Sequence, residues 1–333
     1  MFTNEAGNLA GRLNFRHPKF QLPELARLNW TYYDSLPEIQ EDCNDSAWTA
    51  ADRIFSTNDQ RNLATPVSLY SSDYRFHSGS FVYRGNFTAE SAPKHTLTLE
   101  TQGGNAYGAS VRLDSDFLGS FKGDGDTYNT TSTFKLPRLT AERPYIFTVL
   151  VDQMGYTMNS EANTVSMKTP RGIIDFLLNE RNNTIQWKIT GNLGGEDYLD
   201  ISRGPLNEGG LFAERQGFHL PGAPASGIFR NPVADGLNAA GLGFFAATFD
   251  LDLPVGYDIP LKIEILGDKA TNTTGNFRVQ IWINGFQFRK YSKWLLANNC
   301  LPCTEITDHI LSQQHRSAKP VSRSSRYTRS SGP

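Results

Sequence analysis

Apolar and polar residues alternate singly along most of this chain. In the stretch FVYRGNFT, Phe81, Tyr83 and Phe87 fall on one side while Val82, Arg84 and Asn86 fall on the other. That period of two marks a strand with one face turned to a core. HTLTLET (95–101), YIFTVLVD (145–152), TIQWKITG (184–191), FFAATFDLD (244–252), PLKIEILG (260–267) and FRVQIWING (277–285) repeat the pattern, and clusters of Gly, Pro, Asn and Asp separate them. Amphipathic spacing of helical period is nearly absent. The pattern predicts an all-β chain.

One internal repeat organises these strands. ASVRLDSDFLGSF (109–121) matches VQIWINGFQFRKY (279–291) at a constant offset of 170, setting Val111 against Ile281, Leu113 against Ile283, and Asp114-Ser115 against Asn284-Gly285. Asn-Gly between alternating runs is a strong hairpin signal, because both turn positions favour positive φ. Each copy is preceded by a comparable pair of strands. A repeat this long means two tandem domains rather than a solenoid of short units. The expected fold is therefore two tandem antiparallel β-sandwiches of jelly-roll, galactose-binding-like type. Residues 1–23 form an irregular lead-in, 24–168 the first jelly roll, 169–294 an incomplete second one, and 295–333 a disordered basic, Ser-rich tail. The boundary is set at NTVSMKTPRG (163–172), where Pro170 and Gly172 interrupt the strand series. The tail is called disordered because SAKPVSRSSRYTRSSGP has too little apolar content to offset the entropy of ordering.

Composition narrows the function classes. With 32 basic and 34 acidic residues and a formal charge of −2, the 333-residue chain has no field that would gather nucleic acid or anionic lipid. Its mean hydropathy of −0.43 and the lack of a long apolar run argue against a membrane span. The polar start carries no signal-peptide core, so the chain as written has no export address. Of the three cysteines, Cys43 stands alone and Cys300 and Cys303 form CLPC, with no second ligand pair for zinc and no βαβ context for redox chemistry. Asn29, Asn44, Asn86, Asn129, Asn182 and Asn272 head glycosylation sequons.

Several motifs imitate chemistry. GLGFFA (241–246) has the spacing of a dinucleotide fingerprint, but a strand follows where a helix N-terminus is needed. Asp114, Asp116, Asp124 and Asp126 make an oxygen-rich stretch without EF-hand spacing, and Asp-Gly pairs are ordinary turn chemistry. No metal and no cofactor is expected. Within RGPLNEGGLFAERQGFHLPG (203–222), Glu208 and Glu214 raise the question of a glycosidase pair, which needs two carboxyls about 5 to 5.5 Å apart across a sugar. Turn formers dominate that segment, so its acids are expected to be solvated or paired with Arg203 and Arg215. No catalytic residue is assigned. Trp187 is in phase with Ile185 and Ile189 and belongs to the core. Trp282 stands on the polar side of its strand with Arg278, Gln280 and Asn284, which makes it the candidate carbohydrate or interface contact.

The segment 203–222, together with ITGNLGGEDY (189–198), LPEIQ (36–40), SLYSSDYRFHSGSFVYRGNFTA (68–89) and RVQIWINGFQFRKY (278–291), closely resembles the C-terminal part of secreted fungal β-galactosidases of glycoside hydrolase family 35. The likeness runs from about Phe20 to Tyr291. It implies two jelly rolls that follow a catalytic TIM barrel in an extracellular enzyme releasing terminal β-D-galactose with retention. The family's catalytic glutamates would lie upstream of residue 1, so the resemblance assigns no catalytic role here. The implied function is structural support of that barrel, the implied partner. The rival is a free-standing carbohydrate-binding module for β-galactosides or polysaccharide.

Overall fold

The computed structural model describes residues 2–3, 9–11, 20–58, 61–76, 79–102, 107–121, 129–153, 170–191, 211–223, 227–237, 239–256, 259, 261, 263 and 278–292. The chain divides into two compact units, one of residues 1–28, 248–273 and 303–333, the other of residues 29–247 and 274–302. Within the first unit, β1 (Phe2–Thr3) pairs antiparallel with β2 (Leu9–Gly11), and Leu25–Arg27 form one 3-10 turn.

The second unit carries the remaining strands: β3 (Thr31–Asp34), β4 (Thr49–Ala50), β5 (Gly79–Thr88), β6 (Thr96–Gln102), β7 (Tyr107–Leu113), β8 (Asp116–Phe121), β9 (Asn129–Lys135), β10 (Pro144–Gln153), β11 (Ile173–Leu178), β12 (Gln186–Thr190), β13 (Ile228–Phe229), β14 (Gly243–Ala246), β15 (Arg278–Ile283) and β16 (Phe286–Ser292). Among the described residues every strand pairing is antiparallel. Among the described residues the α-helix amounts to one turn, α1 (Phe212–Arg215). The chain is all-β, as its alternation predicts.

A six-stranded sheet ordered β4-β12-β5-β10-β7-β8 and a three-stranded sheet ordered β11-β6-β9 make the first sandwich. Its spine is β5 against β10, paired from Gly79–Gln153 to Thr88–Pro144. Phe81, Tyr83, Phe87, Leu97, Leu99, Val149 and Trp187 share one buried cluster, so the face read from FVYRGNFT is the core face. The other face is covered as well at Arg84, which is 1% exposed. Its guanidinium donates to the carbonyls of Cys43 (3.0 Å) and Gln40 (3.4 Å) and sits 3.4 Å from Asp45, which also accepts from Lys188 Nζ at 2.7 Å. A buried charge is tolerated when it is paired and hydrogen-bonded in this way.

The internal repeat is a structural one. β7–β8 and β15–β16 are both two-residue hairpins, with Asp114 at φ 49° and Asn284 at φ 51° in the left-handed region. Both also carry a register shift at the matching place, between Val111 and Arg112 in one and between Ile281 and Trp282 in the other. Asp114 locks its turn: its amide donates to the Ile146 carbonyl at 2.7 Å and its Oδ1 accepts from the Ile146 amide at 3.0 Å. That gives the acid at 114 a role in the turn, while Asp124 and Asp126 lie outside the described residues. GLGFFA likewise ends in β14 itself, so no helix follows it.

Strand pairing does not follow a division at residue 168. β11 pairs with β6 and β12 pairs with β4 and β5, so both belong to the first sandwich. The Pro170–Gly172 stretch is buried rather than a linker. The Ser71 amide donates to the Arg171 carbonyl at 2.8 Å, Tyr107 Oη donates to the Gly172 carbonyl at 3.3 Å, and Gly172 bridges to Tyr70. Gly172 adopts φ +114°, and a Cβ there would come within 2.1 Å of Tyr83 Oη. The glycine that looks like a boundary is a close-packed corner. At the other end, β3 pairs with β13 and β14 in a separate three-stranded sheet, so a strand from the expected first domain completes a sheet of the second half. After β14 the residues TFDLD (248–252) form no strand, although their alternation predicts one. The tail 295–333, PLKIEILG beyond Ile263, and Cys300 and Cys303 lie outside the described residues.

Candidate functional site

β15 presents Arg278, Gln280 and Trp282 in one phase. The first two are spent on the first sandwich. Arg278 Nε pairs with Asp152 Oδ2 at 2.5 Å and its Nη1 donates to the Tyr107 carbonyl at 3.3 Å, while Gln280 Nε2 donates to Ser80 Oγ at 3.3 Å. Ser80, Tyr107 and Asp152 are neighbours at the ends of β5, β7 and β10. At Arg278 and Gln280 the polar side of β15 therefore faces protein rather than water. Trp282, next along the row, is half-buried, and its ring lies 4.7 Å from that of His219 at 53°. Opposite Trp282 on β16 stands the buried Gln287. Val279 and Ile281 are half-buried and Ile283 is exposed on the other side.

His219 follows α1, and that turn anchors a second polar pair. Glu38, on the 3-10 turn Pro37–Ile39, is 3% exposed and accepts an ion-pair hydrogen bond from Arg215 of α1. Glu214 beside it is buried. The surrounding apolar shell is aromatic: Tyr33 of β3 stacks on Phe218 at 4.2 Å, Phe212 meets Phe218 edge-on at 5.9 Å, and Arg215 lies over the Phe212 ring at 6.0 Å. Arg215 balances a carboxylate that the LPEIQ segment carries into the interior. Removing the arginine would leave that charge buried, the costly case.

The six-residue spacing of Glu208 and Glu214 does not define a described site, because Glu208 lies outside the described residues. Glu214 is not solvated as expected, and Arg215 pairs with Glu38, thirty-odd positions from the chain start and far from α1 in sequence. The first sandwich has a concavity lined by Phe87, Glu90, His95, Asn179, Arg181 and Thr184, of about 10 Å³. That holds about one water, against the several hundred Å³ of ligand pockets. Within it Glu90 pairs with Arg181, and Asn179 Nδ2 and His95 Nδ1 are 3.0 Å apart. Among the described residues no group of three or more His, Cys, Asp or Glu could hold a metal ion.

The sequons differ in their surroundings. Asn29 and Asn44 are exposed, and Asn86 is half-buried on β5. Asn129 donates to Glu100 at 3.2 Å and Asn182 to the Ala64 carbonyl at 2.9 Å. Asn272 lies outside the described residues.

Sequence reasoning missed Glu38, Arg84 and Asp73. Asp73, 2% exposed, accepts from Ser68 Oγ at 2.5 Å, Thr57 Oγ1 at 2.7 Å and the Thr57 amide at 3.0 Å. Burial would raise this carboxyl, but the hydrogen bonds from Ser68, Thr57 and Ser56 outweigh it and hold it below the ordinary carboxylate value. None of the three announces itself locally, since each partner comes from a different element.

Comparison with known proteins follows the repeat. β-Galactosidase A of Aspergillus niger is 48% identical over 300 residues, covering 90% of this chain and 29% of that protein. Probable β-galactosidase E of Aspergillus fumigatus is 44% identical over 307 residues, covering 91% and 30%. The chain thus spans about three tenths of the length of these curated relatives. Among solved structures, β-glucuronidase of Bifidobacterium dentium, complexed with coumarin-3-O-glucuronide, aligns at a TM-score of 0.23 with 16% identity over 48% of this chain and 28% of that one, a likeness that carries no argument. Two segments, residues 44–157 and 212–316, match the same family, at a spacing close to that of the two hairpins, and together they make up more than half of the chain. The chain belongs to the family of the β-galactosidase second all-beta domain.

Proposed function

We propose that this chain is the accessory β-sandwich portion of a secreted β-galactosidase of glycoside hydrolase family 35, and that it buttresses the catalytic TIM barrel of that enzyme. The parent reaction is removal of terminal β-D-galactose with retention. The observation that carries this reading is the combination of high identity over nine tenths of this chain with coverage of only three tenths of the relatives, in a region matched by an all-beta domain family. The polar groups of β15 support it, because Arg278 and Gln280 are committed to packing. Trp282 is assigned here as a packing and interface residue. The sequons are assigned as glycan sites of a secreted protein.

The test is hydrolysis of an aryl β-galactoside by the purified chain, alone and after co-expression with the part of a relative that this chain does not match. The expected result is no turnover alone and activity in the combination above that of either part. Turnover by the chain alone, lost in Glu208→Gln, would overturn the reading. Binding of galactan by the isolated chain, lost in Trp282→Ala, would replace it with a carbohydrate-binding module.

A further inference from the structure

We infer that Ile54 and Phe55 form an apolar plug by which the first sandwich docks into a pocket on the remainder of the β-galactosidase polypeptide; this rests on the accessory reading above. The two side chains are 78% and 63% exposed on the loop that follows β4. Isolated surface apolar residues are ordinary, and mobile loops scatter them freely. This loop is different because both of its flanks are fixed.

On the approach, the Ala51 amide donates to the Trp187 carbonyl of β12 at 2.9 Å, the Arg53 amide donates to Tyr74 Oη at 3.2 Å, and the Arg53 carbonyl accepts from the Ser68 amide at 2.7 Å. The Arg53 guanidinium also lies 5.6 Å from the centre of the Tyr74 ring. On the exit, Thr57 is held through its amide and hydroxyl by the buried Asp73, which Ser68 Oγ grips from the other side. Tyr74 Oη in turn donates to the Ser68 carbonyl at 2.8 Å. One buried carboxylate and one buried phenol thus pin residues 53 and 57, and the residues between them have nowhere to collapse. Five long-range hydrogen bonds of the loop, from Ala51, Arg53 and Thr57, hold an isoleucine and a phenylalanine in water.

Such a display suits association, because large apolar anchors held in their bound shape lose little freedom on binding. The occupant of the other side is the remainder of the parent enzyme. About seven tenths of each relative lies outside the region this chain matches, and on the accessory reading that remainder is the surface available to cover the loop. The nearly balanced charge of the chain supplies little long-range attraction, and an apolar contact is what this loop offers. The loop also lies within the first segment matched to the family. An Ile-Phe pair recurs, exposed, at Ile228 and Phe229 in the second segment.

The test measures affinity of the full chain for the non-matching part of Aspergillus niger β-galactosidase A, by calorimetry, with wild type, Ile54→Asp, Phe55→Asp and, as a control for general surface apolarity, Val255→Asp. Thermal unfolding of each variant checks the fold, and its midpoint should not move, since these side chains are already in water. The expected result is binding by wild type and Val255→Asp, weakened at least about 30-fold in Phe55→Asp and Ile54→Asp. Binding that is equal in all four proteins, or weakened equally by Val255→Asp, would overturn the plug while leaving the accessory reading intact. Failure of wild type itself to bind would overturn the accessory reading, and the plug with it.

Discussion

Trp187→Ala distinguishes a sandwich that ends near residue 191 from one that ends at 168. Trp187 is 3% exposed and stands edge-on to Tyr83 at 6.3 Å and to Phe176 at 5.5 Å. Its ring roofs Gly85 so closely that a Cβ on that glycine would lie 2.7 Å from Trp187 Cε3. A tryptophan buries about 150 to 250 Å². At about 25 cal/mol per Å², the lost transfer free energy is about 4 to 6 kcal/mol, close to the about 3 to 5 kcal/mol found for large aromatic truncations. We expect about 4 kcal/mol, a large fraction of the about 5 to 15 kcal/mol that holds an ordinary domain together. Hydrogen exchange read by strand is the assay. Gly79–Thr88 and Pro144–Gln153, the paired spine of the sheet, should exchange about a thousandfold faster, because about 1.4 kcal/mol is one power of ten and these strands open with the domain. The urea midpoint should fall by about 2 M for a slope of about 2 kcal/mol per M. Unchanged protection of the spine, with loss confined to residues 173–190, would mean that β11 and β12 are a separate unit, and the reasoning would fail.

Two further outcomes follow from the corner at Pro170–Gly172 and from the loop under Asp73. Gly172→Ala should cost about 3 kcal/mol, measured by thermal or urea unfolding, because it combines left-handed strain with a Cβ that meets Tyr83 Oη and the Leu69 carbonyl; a neutral result would return the stretch to the status of a linker. Asp73→Asn should destabilise the protein by about 1 to 2 kcal/mol at pH 7 through loss of charge-assisted hydrogen bonds. Since the folded pKa of Asp73 is depressed, its ionisation adds stability that is present above the unfolded carboxyl pKa and is lost as pH falls through the folded one. Unfolding midpoints of wild type and variant should therefore converge below about pH 4, and a gap that stays constant to acid would refute the charge as its source. Asp175 works in the opposite sense: burial raises its carboxyl above the ordinary value, so its contribution disfavours the fold as pH rises.

What the sequence determined by itself is local. Alternation in FVYRGNFT and YIFTVLVD set the strands and the core-facing side chains, because a strand's two faces follow from its period alone. The repeat at 109–121 and 279–291 identified two hairpins with the same turn, since a left-handed Asp114 or Asn284 is a property of two residues and their neighbours. Tertiary structure decided the partners. Whether Ile173–Leu178 and Gln186–Thr190 close the first sandwich or open the second depends on which edges of β5 and β6 are vacant, and no local pattern records that. The same holds for β3, which reaches past the whole first sandwich to pair with β14. It holds too for the charges at Glu38, Asp73 and Arg84, whose burial becomes tolerable only when Arg215, the Ser68 and Thr57 hydroxyls, or Asp45 and the carbonyls of Gln40 and Cys43 arrive from other elements. A strand specifies its own faces, whereas its neighbours and the fate of its polar groups are fixed by the rest of the chain folding around it.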